Sequence, residues 1–64
     1  MTYTQAMKKV KVARETGRAW IDKDSVIYYD PDRREYSLKV RDGLHWNTVT
    51  VTYKPEKIAE LLVD

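Results

Sequence analysis

Residues 35–53, EYSLKVRDGLHWNTVTVTY, decide the fold of this chain. Polar and apolar residues alternate on both sides of Asp42-Gly43, and a period of two is typical of half-buried β-strands. Asp-Gly is a favoured pair for a two-residue type I′ turn, because both central residues must tolerate positive φ. The stretch therefore predicts a β-hairpin in which Arg41 lies opposite Leu44.

This register predicts which side chains of the hairpin enter the core. The inner face of the first strand carries Tyr36, Leu38 and Val40. The same face of the second strand carries His45, Asn47, Val49, Val51 and Tyr53. The outer face receives Leu44, Trp46, Thr48, Thr50 and Thr52. Two large apolar side chains are thus expected among threonines, where a solvated strand face is normally polar.

Helices are predicted at both ends of the chain. Thr2 and Thr4 are candidate N-caps of a helix that continues to about Thr16, and Gly17 is a suitable left-handed stop. The apolar stripe of this helix consists of Tyr3, Ala6, Met7, Val10 and Ala13. Pro55 suits the first position of a short final helix, since its missing N–H costs nothing there. The apolar face of that helix consists of Ile58, Leu61 and Leu62.

Two further strands are predicted before the hairpin, at residues 18–22 (RAWID) and 25–30 (SVIYYD). Pro31 fits the second position of a type I turn, within a four-residue loop to the third strand. With that loop length Ile27 and Tyr29 enter the core. Val26 and Tyr28 then lie on the outer face, and Val26 forms a cross-strand row with Lys39 and Trp46. A loop one residue longer or shorter would exchange the two sets.

The element order α-β-β-β-β-α with short connections predicts a single α+β domain over residues 1–64. Its sheet is expected to be a four-stranded antiparallel meander, flanked by an N-terminal amphipathic helix and a short C-terminal helix. The chain has no cysteine, so neither disulfides nor Cys-based zinc sites can supplement its small core. The polar N-terminus resembles no signal peptide, and no apolar run approaches the about 20 residues of a membrane span. A soluble, cytoplasmic protein with no membrane partner is expected.

The aromatic residues suggest an interaction surface. The chain has five tyrosines, two tryptophans and no phenylalanine, so every ring carries a polar group, as is common at interfaces. The predicted contact residues are Trp46, Tyr28, Leu44, Val26 and Lys39. The hypothesis is a non-enzymatic protein–protein interaction module, either a homodimer or an accessory protein that modulates a larger bacterial or phage component.

The alternative hypothesis is nucleic-acid binding through the basic first helix. The candidate phosphate contacts are Lys8, Lys9, Lys11, Arg14 and Arg18. With Glu15 as the single acid, residues 1–18 carry a net charge of +4. Residues 19–64 carry seven basic and nine acidic side chains, a net charge of −2, which is unlike most DNA-binding proteins.

The sequence contains no motif for catalysis, for a metal or for a cofactor. His45 is the single histidine, so no zinc ligand set can be assembled. The acidic pairs at 22/24 and 30/32 lack the spacing of an EF-hand and are typical of Asx turns. The two glycines stand alone, so no glycine-rich phosphate-binding loop is indicated. No small-molecule substrate is evident from the sequence. The chain is therefore not expected to be an enzyme.

Overall fold

The structure, a computed structural model, describes all 64 residues and contains one sheet and two helices. The elements are α1 (Tyr3–Thr16), β1 (Arg18–Asp22), β2 (Ser25–Asp30), β3 (Glu35–Asp42), β4 (His45–Thr52) and α2 (Pro55–Leu62). The strands are antiparallel and lie in the order β1-β2-β3-β4. The predicted α+β meander with a helix at each end is confirmed.

Helix α1 has the predicted ends. The Thr2 hydroxyl accepts a hydrogen bond from the Gln5 N–H at 3.2 Å, and the Gln5 side chain accepts one from the Thr2 N–H at 2.9 Å. This reciprocal pair satisfies two of the N–H groups that lack partners in a first helical turn. Gly17 ends the helix with φ of 99°, a conformation that costs glycine little.

Both helices pack on the same side of the sheet, which we call the inner face. Helix α1 lies over β1 and β2, and α2 lies beside α1 over β3 and β4. The buried core between them consists of Ala6, Val10, Ala13, Ala19, Ile27, Tyr36, Leu38, Ile58 and Ala59. Four of these nine residues are alanines, which lets the elements approach closely. The predicted apolar faces were too wide, since Tyr3 and Leu61 are exposed.

The connection between β2 and β3 has the predicted length. Asp30 pairs with Glu35 across the loop 31–34, so Ile27 lies opposite Leu38. The Asp30 carboxylate accepts hydrogen bonds from the N–H groups of Asp32 and Arg33 at 3.0 and 3.3 Å, which is ordinary Asx-turn geometry. The predicted division of β2 is therefore correct, with Ile27 turned to the inner face and Val26 to the opposite one.

The hairpin between β3 and β4 has a different loop from the predicted one. Asp42 pairs with His45, so the two loop residues are Gly43 and Leu44. Gly43 has φ of 64°, whereas Leu44 has no positive φ, and glycine at the first loop position is the preference of a type II′ turn. The predicted pairs of Arg41 with Leu44 and of Val40 with His45 are wrong by one residue in each strand.

Trp46 nevertheless keeps its predicted face. It pairs with Arg41 rather than with Lys39. A shift of one residue in each strand moves the pairing by two positions, and the alternation of side chains has a period of two. The outer-face assignment of Trp46 survives, while its predicted row with Val26 and Lys39 does not.

A β-bulge in β4 makes the predicted face assignments wrong for the second half of that strand. Lys39 pairs with Thr48 but Leu38 pairs with Thr50, so Val49 is an extra residue. A bulge exchanges the two faces of the residues that follow it. Thr50 and Thr52 therefore face inward, and Val51 faces outward, opposite to the prediction for all three.

Candidate protein-interaction surface

The sheet has a second face, turned away from both helices, which we call the outer face. Three aromatic side chains lie there, one each on β1, β2 and β4. They are Trp20, Tyr28 and Trp46, with exposed fractions of 45%, 36% and 42%. We call these three residues the aromatic patch. No other element covers them, so their rings meet solvent.

Trp20 reaches the outer face through a second bulge. Asp22 pairs with Ser25, whereas Trp20 pairs with Val26, so Ile21 is the extra residue in β1. Without this bulge Trp20 would lie opposite Ile27 and point into the core. No face was predicted for β1, so Trp20 was not among the predicted surface residues. The pattern of strand residues gives no signal for the bulge.

Val26 lies on the outer face but is fully buried. The rings of Trp20 and Trp46 lean towards one another from the two edge strands, with centroids 5.9 Å apart and an interplanar angle of 66°. Such an edge-to-face contact is a favourable aromatic geometry. Val26 is the cross-strand neighbour of Trp20, and because both helices lie on the inner face, side chains of the outer face must cover it. The prediction that Val26 is available for partner contact is therefore wrong.

Two cationic side chains contact rings of the aromatic patch. The Arg41 guanidinium donates to the Asp24 carboxylate through Nη2 at 2.9 Å and Nε at 3.2 Å, and it lies 5.7 Å from the Trp46 ring centre. The Lys39 ammonium lies 5.3 Å from the ring centre of Tyr28. Cation–π contacts of this kind are worth about 0.5–1 kcal/mol at exposed sites. These contacts favour the observed ring positions in the free protein.

Three of the five predicted contact residues come together on the outer face: Trp46, Tyr28 and Lys39. Leu44 is 96% exposed, but it sits in the loop at the tip of the hairpin rather than on the face. The charged residues of the outer face are balanced in sign. The cations are Arg18, Lys39 and Arg41, and the carboxylates are Asp24, Asp30 and Glu35.

The basic residues predicted to bind nucleic acid do not form one surface. Lys8, Lys11 and Arg14 border an open groove of about 520 Å³ beside α1, whose apolar lining includes Tyr36. Lys9 does not line that groove, and Arg18 lies on the outer face of the sheet opposite Tyr28. The predicted set is therefore divided among three places.

Tyr36 is the one titratable group whose ionisation is clearly perturbed. Burial raises the pKa of its phenol above the ordinary value of 10.0, and the nearby Arg14 guanidinium opposes that shift. The ring also packs against Tyr29, with centroids 4.7 Å apart. A raised tyrosine pKa beside the core reflects packing and leaves a neutral phenol at physiological pH.

The remaining residues give no sign of a reactive centre. His45 is exposed at the hairpin tip opposite Asp42, and it does not line the groove beside α1. No group of three or more His, Asp or Glu side chains is placed to hold a metal ion. Neither helix is long and apolar enough to cross a bilayer.

Comparison of the chain with protein-family models, with curated proteins and with solved structures gave no match.

Proposed function

We propose that this chain is a non-enzymatic protein-interaction module, and that the outer face of its sheet contacts the partner protein. The aromatic patch carries the proposal. Trp20, Tyr28 and Trp46 are each more than one third exposed on a sheet face that neither helix covers. Tryptophan and tyrosine dominate the binding energy of many protein interfaces, because they bury a large apolar area while keeping one polar group.

The restricted motion of the rings in the aromatic patch supports the same proposal. The contact between Trp20 and Trp46 and the ion pair of Arg41 with Asp24 restrict the rings in the free protein. Fixing a side chain on binding costs about 0.5–1.5 kcal/mol, and a ring whose motion is already restricted avoids part of that cost. The patch is therefore suited to a partner that brings an apolar side chain to the two indoles.

The charge balance of the outer face favours a protein over a nucleic acid. Asp30 and Glu35 would lie close to the phosphates of a bound strand and oppose them. Two of the three cations are also engaged, Arg41 with Asp24 and Lys39 with Tyr28. Nucleic-acid binding relies on an excess of unpaired cations. A protein surface of mixed charge fits this face better.

The test is capture from the native host followed by titration of the purified partner. Trp46→Ala and Trp20→Ala should each weaken binding about 30-fold, since truncating a central aromatic residue costs about 2 kcal/mol. Tyr3→Ala is the matched control, because Tyr3 is 47% exposed on α1, on the other side of the molecule. Circular dichroism establishes that each variant is folded.

Equal affinity of wild type and both tryptophan variants would refute the assignment of this face. A loss with Tyr3→Ala alone would move the contact to α1. The identity of the captured protein tests the further hypothesis that the partner is a larger bacterial or phage component. The cytoplasmic location expected from the sequence stays a prediction.

A further inference from the structure

The edge of the sheet formed by β4 is open. Strand β4 pairs only with β3, so one side of its backbone has no strand partner. From Leu44 to Tyr53 the chain has no Asp, Glu, Lys or Arg, no proline and no glycine. Natural edge strands usually carry such residues, because they prevent another strand from pairing there. This edge therefore has little protection against strand addition beyond its bulge.

A cleft lies where an added strand would place its inward side chains. It measures about 430 Å³ between the second half of β4 and the neighbouring face of α2. The lining residues are Thr50, Val51, Thr52, Lys57, Glu60 and Leu61. Leu61 was predicted to belong to the core, but it lines this cleft and is 54% exposed. A fifth strand would cover Leu61.

We propose that the occupant is a second copy of this chain, with the two β4 strands antiparallel about a two-fold axis at Val51. The bulge at Val49 restricts the register to a centre at or next to Val51. Because the bulge exchanges the faces of β4, two copies keep inward side chains opposite inward ones beside α2 only when the pairing is centred within residues 50–52. In this register Thr50 lies opposite the second copy's Thr52, and the two four-stranded sheets form one of eight strands.

The cleft is complementary to itself in charge. Lys57 and Glu60 are three residues apart on α2 and flank Leu61 on the side turned to the cleft. A two-fold axis makes the two α2 helices antiparallel, so Lys57 of each copy faces Glu60 of the other. The uncharged β4 strands bring no like charges together at the axis. This complementarity points to a second copy rather than to an unrelated strand.

This inference uses a different surface from the aromatic patch, so the two proposals fail independently. The interface is small, and we expect a weak dimer that forms at high micromolar concentration. Analytical ultracentrifugation over a concentration series should show the monomer–dimer equilibrium. A wild-type chain that stays monomeric at millimolar concentration would overturn the proposal.

Charge placed at the axis should break the dimer. Val51 is 51% exposed on the outer face of the free chain, so Val51→Lys should fold normally. It sets two ammonium groups opposite one another, and we expect dimerisation to weaken at least 10-fold. Val12→Lys is the control, since Val12 is 46% exposed on α1 away from the edge. A dimer unaffected by Val51→Lys would refute the β4 interface.

A charge exchange tests the two-fold complementarity itself. Glu60→Lys should weaken the dimer, because four cations then meet across the axis. Adding Lys57→Glu to that variant exchanges the two charges and should restore wild-type dimerisation. A purely structural role of Glu60 would not be rescued in this way. Failure of the exchange to restore the dimer would therefore contradict the predicted pairing of the α2 helices.

Cross-linking tests the register, and the absence of cysteine makes the result unambiguous. Directly opposed residues of antiparallel strands have Cα atoms about 4.5–5.5 Å apart, within the range of disulfides. Oxidised Val51→Cys should therefore yield a covalent dimer much faster than Val12→Cys. Equal rates for the two variants would exclude the axis at Val51.

Discussion

Val26 and Ile27 are neighbours in β2, both fully buried, and they face opposite sides of the sheet. Ile27 is covered by α1 and belongs to the core between the sheet and the helices. Val26 lies outside that core and is covered from the other side of the sheet, where its cross-strand neighbour is Trp20. A helix is held by many contacts, but a side chain that leans over a sheet is held by few. Val26 and Ile27 are thus equally buried, but a helix covers Ile27 and only side chains cover Val26. We call the side chains over Val26 the outer cover, and its aromatic rings remain exposed to a partner.

The largest effect is expected on the inner face. Ile27→Ala removes three carbons from a fully buried site between the sheet and α1, and such changes cost about 2–5 kcal/mol. In a domain of 64 residues this is a large part of the total stability. Urea denaturation followed by circular dichroism should show a mostly unfolded chain or a much lower midpoint. A loss below that of Val26→Ala would reverse the comparison of the two faces.

The corresponding change on the outer face should cost less. Val26→Ala removes two carbons, worth about 1.6 kcal/mol of lost burial. The indoles above it can settle into the space, because they are fixed only at the edge strands, so we expect little additional cost from a cavity. The same urea titration measures it. A cost as large as that of Ile27→Ala would show that the outer cover is as rigid as the helices.

The two indoles should stabilise each other. Trp20→Ala and Trp46→Ala each remove part of the cover over Val26, so the second truncation should cost less than the first. A double-mutant cycle should give a coupling free energy of about 0.5–1.5 kcal/mol, the range measured for aromatic pairs. Additive losses would mean that the rings cover Val26 independently and that their edge-to-face contact contributes nothing.

The inward-facing residues of α1, β2 and β3 were largely predictable from the sequence. Thr2 and Gly17 mark the ends of α1, and the count of four residues after Asp30 fixes the pairing of β2 with β3. These are local signals, since caps and turns depend on a few adjacent residues. The positions of Tyr36, Leu38 and Ile27 in the core follow from them by simple alternation.

The faces of the edge strands were predictable only in part, because both β1 and β4 contain a bulge. The extra residues, Ile21 and Val49, are ordinary strand formers. Their neighbours include no glycine, so nothing in the local sequence marks a break in the alternation. The face of Trp46 was predicted correctly because it precedes the bulge in β4. The faces of Trp20 and Val51 are set by the bulges alone. The bulges depend on how the whole sheet twists and packs.

The pH dependence should distinguish the faces through their tyrosines. The folded pKa of Tyr36 is raised by burial, so the folded state favours its neutral phenol. This contribution is complete below the unfolded pKa of about 10 and is lost as the pH rises through the folded value. Stability should therefore fall above pH 10, and Tyr36→Phe should reduce that fall.

Tyr28→Phe is the matched control for this measurement, because it removes a phenol from the outer face and leaves Tyr36 in place. The midpoint of urea denaturation, measured from about pH 8 to about pH 11, gives the slope for each variant. An identical slope for wild type and Tyr36→Phe would show that Tyr36 is not desolvated in the folded state.

The smallest effect is expected for the ion pair that borders the outer cover. Asp24 and Arg41 are both partly exposed, at 46% and 40% of their side-chain area, and exposed pairs contribute about 0.2–1 kcal/mol. Asp24→Asn keeps an oxygen that can accept from the guanidinium but removes its charge, so the loss should be under about 1 kcal/mol and should shrink as salt is added. Asp32→Asn, at a carboxylate without an ion pair, is the control in the same urea titration.

A loss for Asp24→Asn as large as that for Val26→Ala would mean that Arg41 holds Trp46 in place over the sheet. The outer cover would then depend on charge as much as on aromatic contact, and high salt would loosen the aromatic patch.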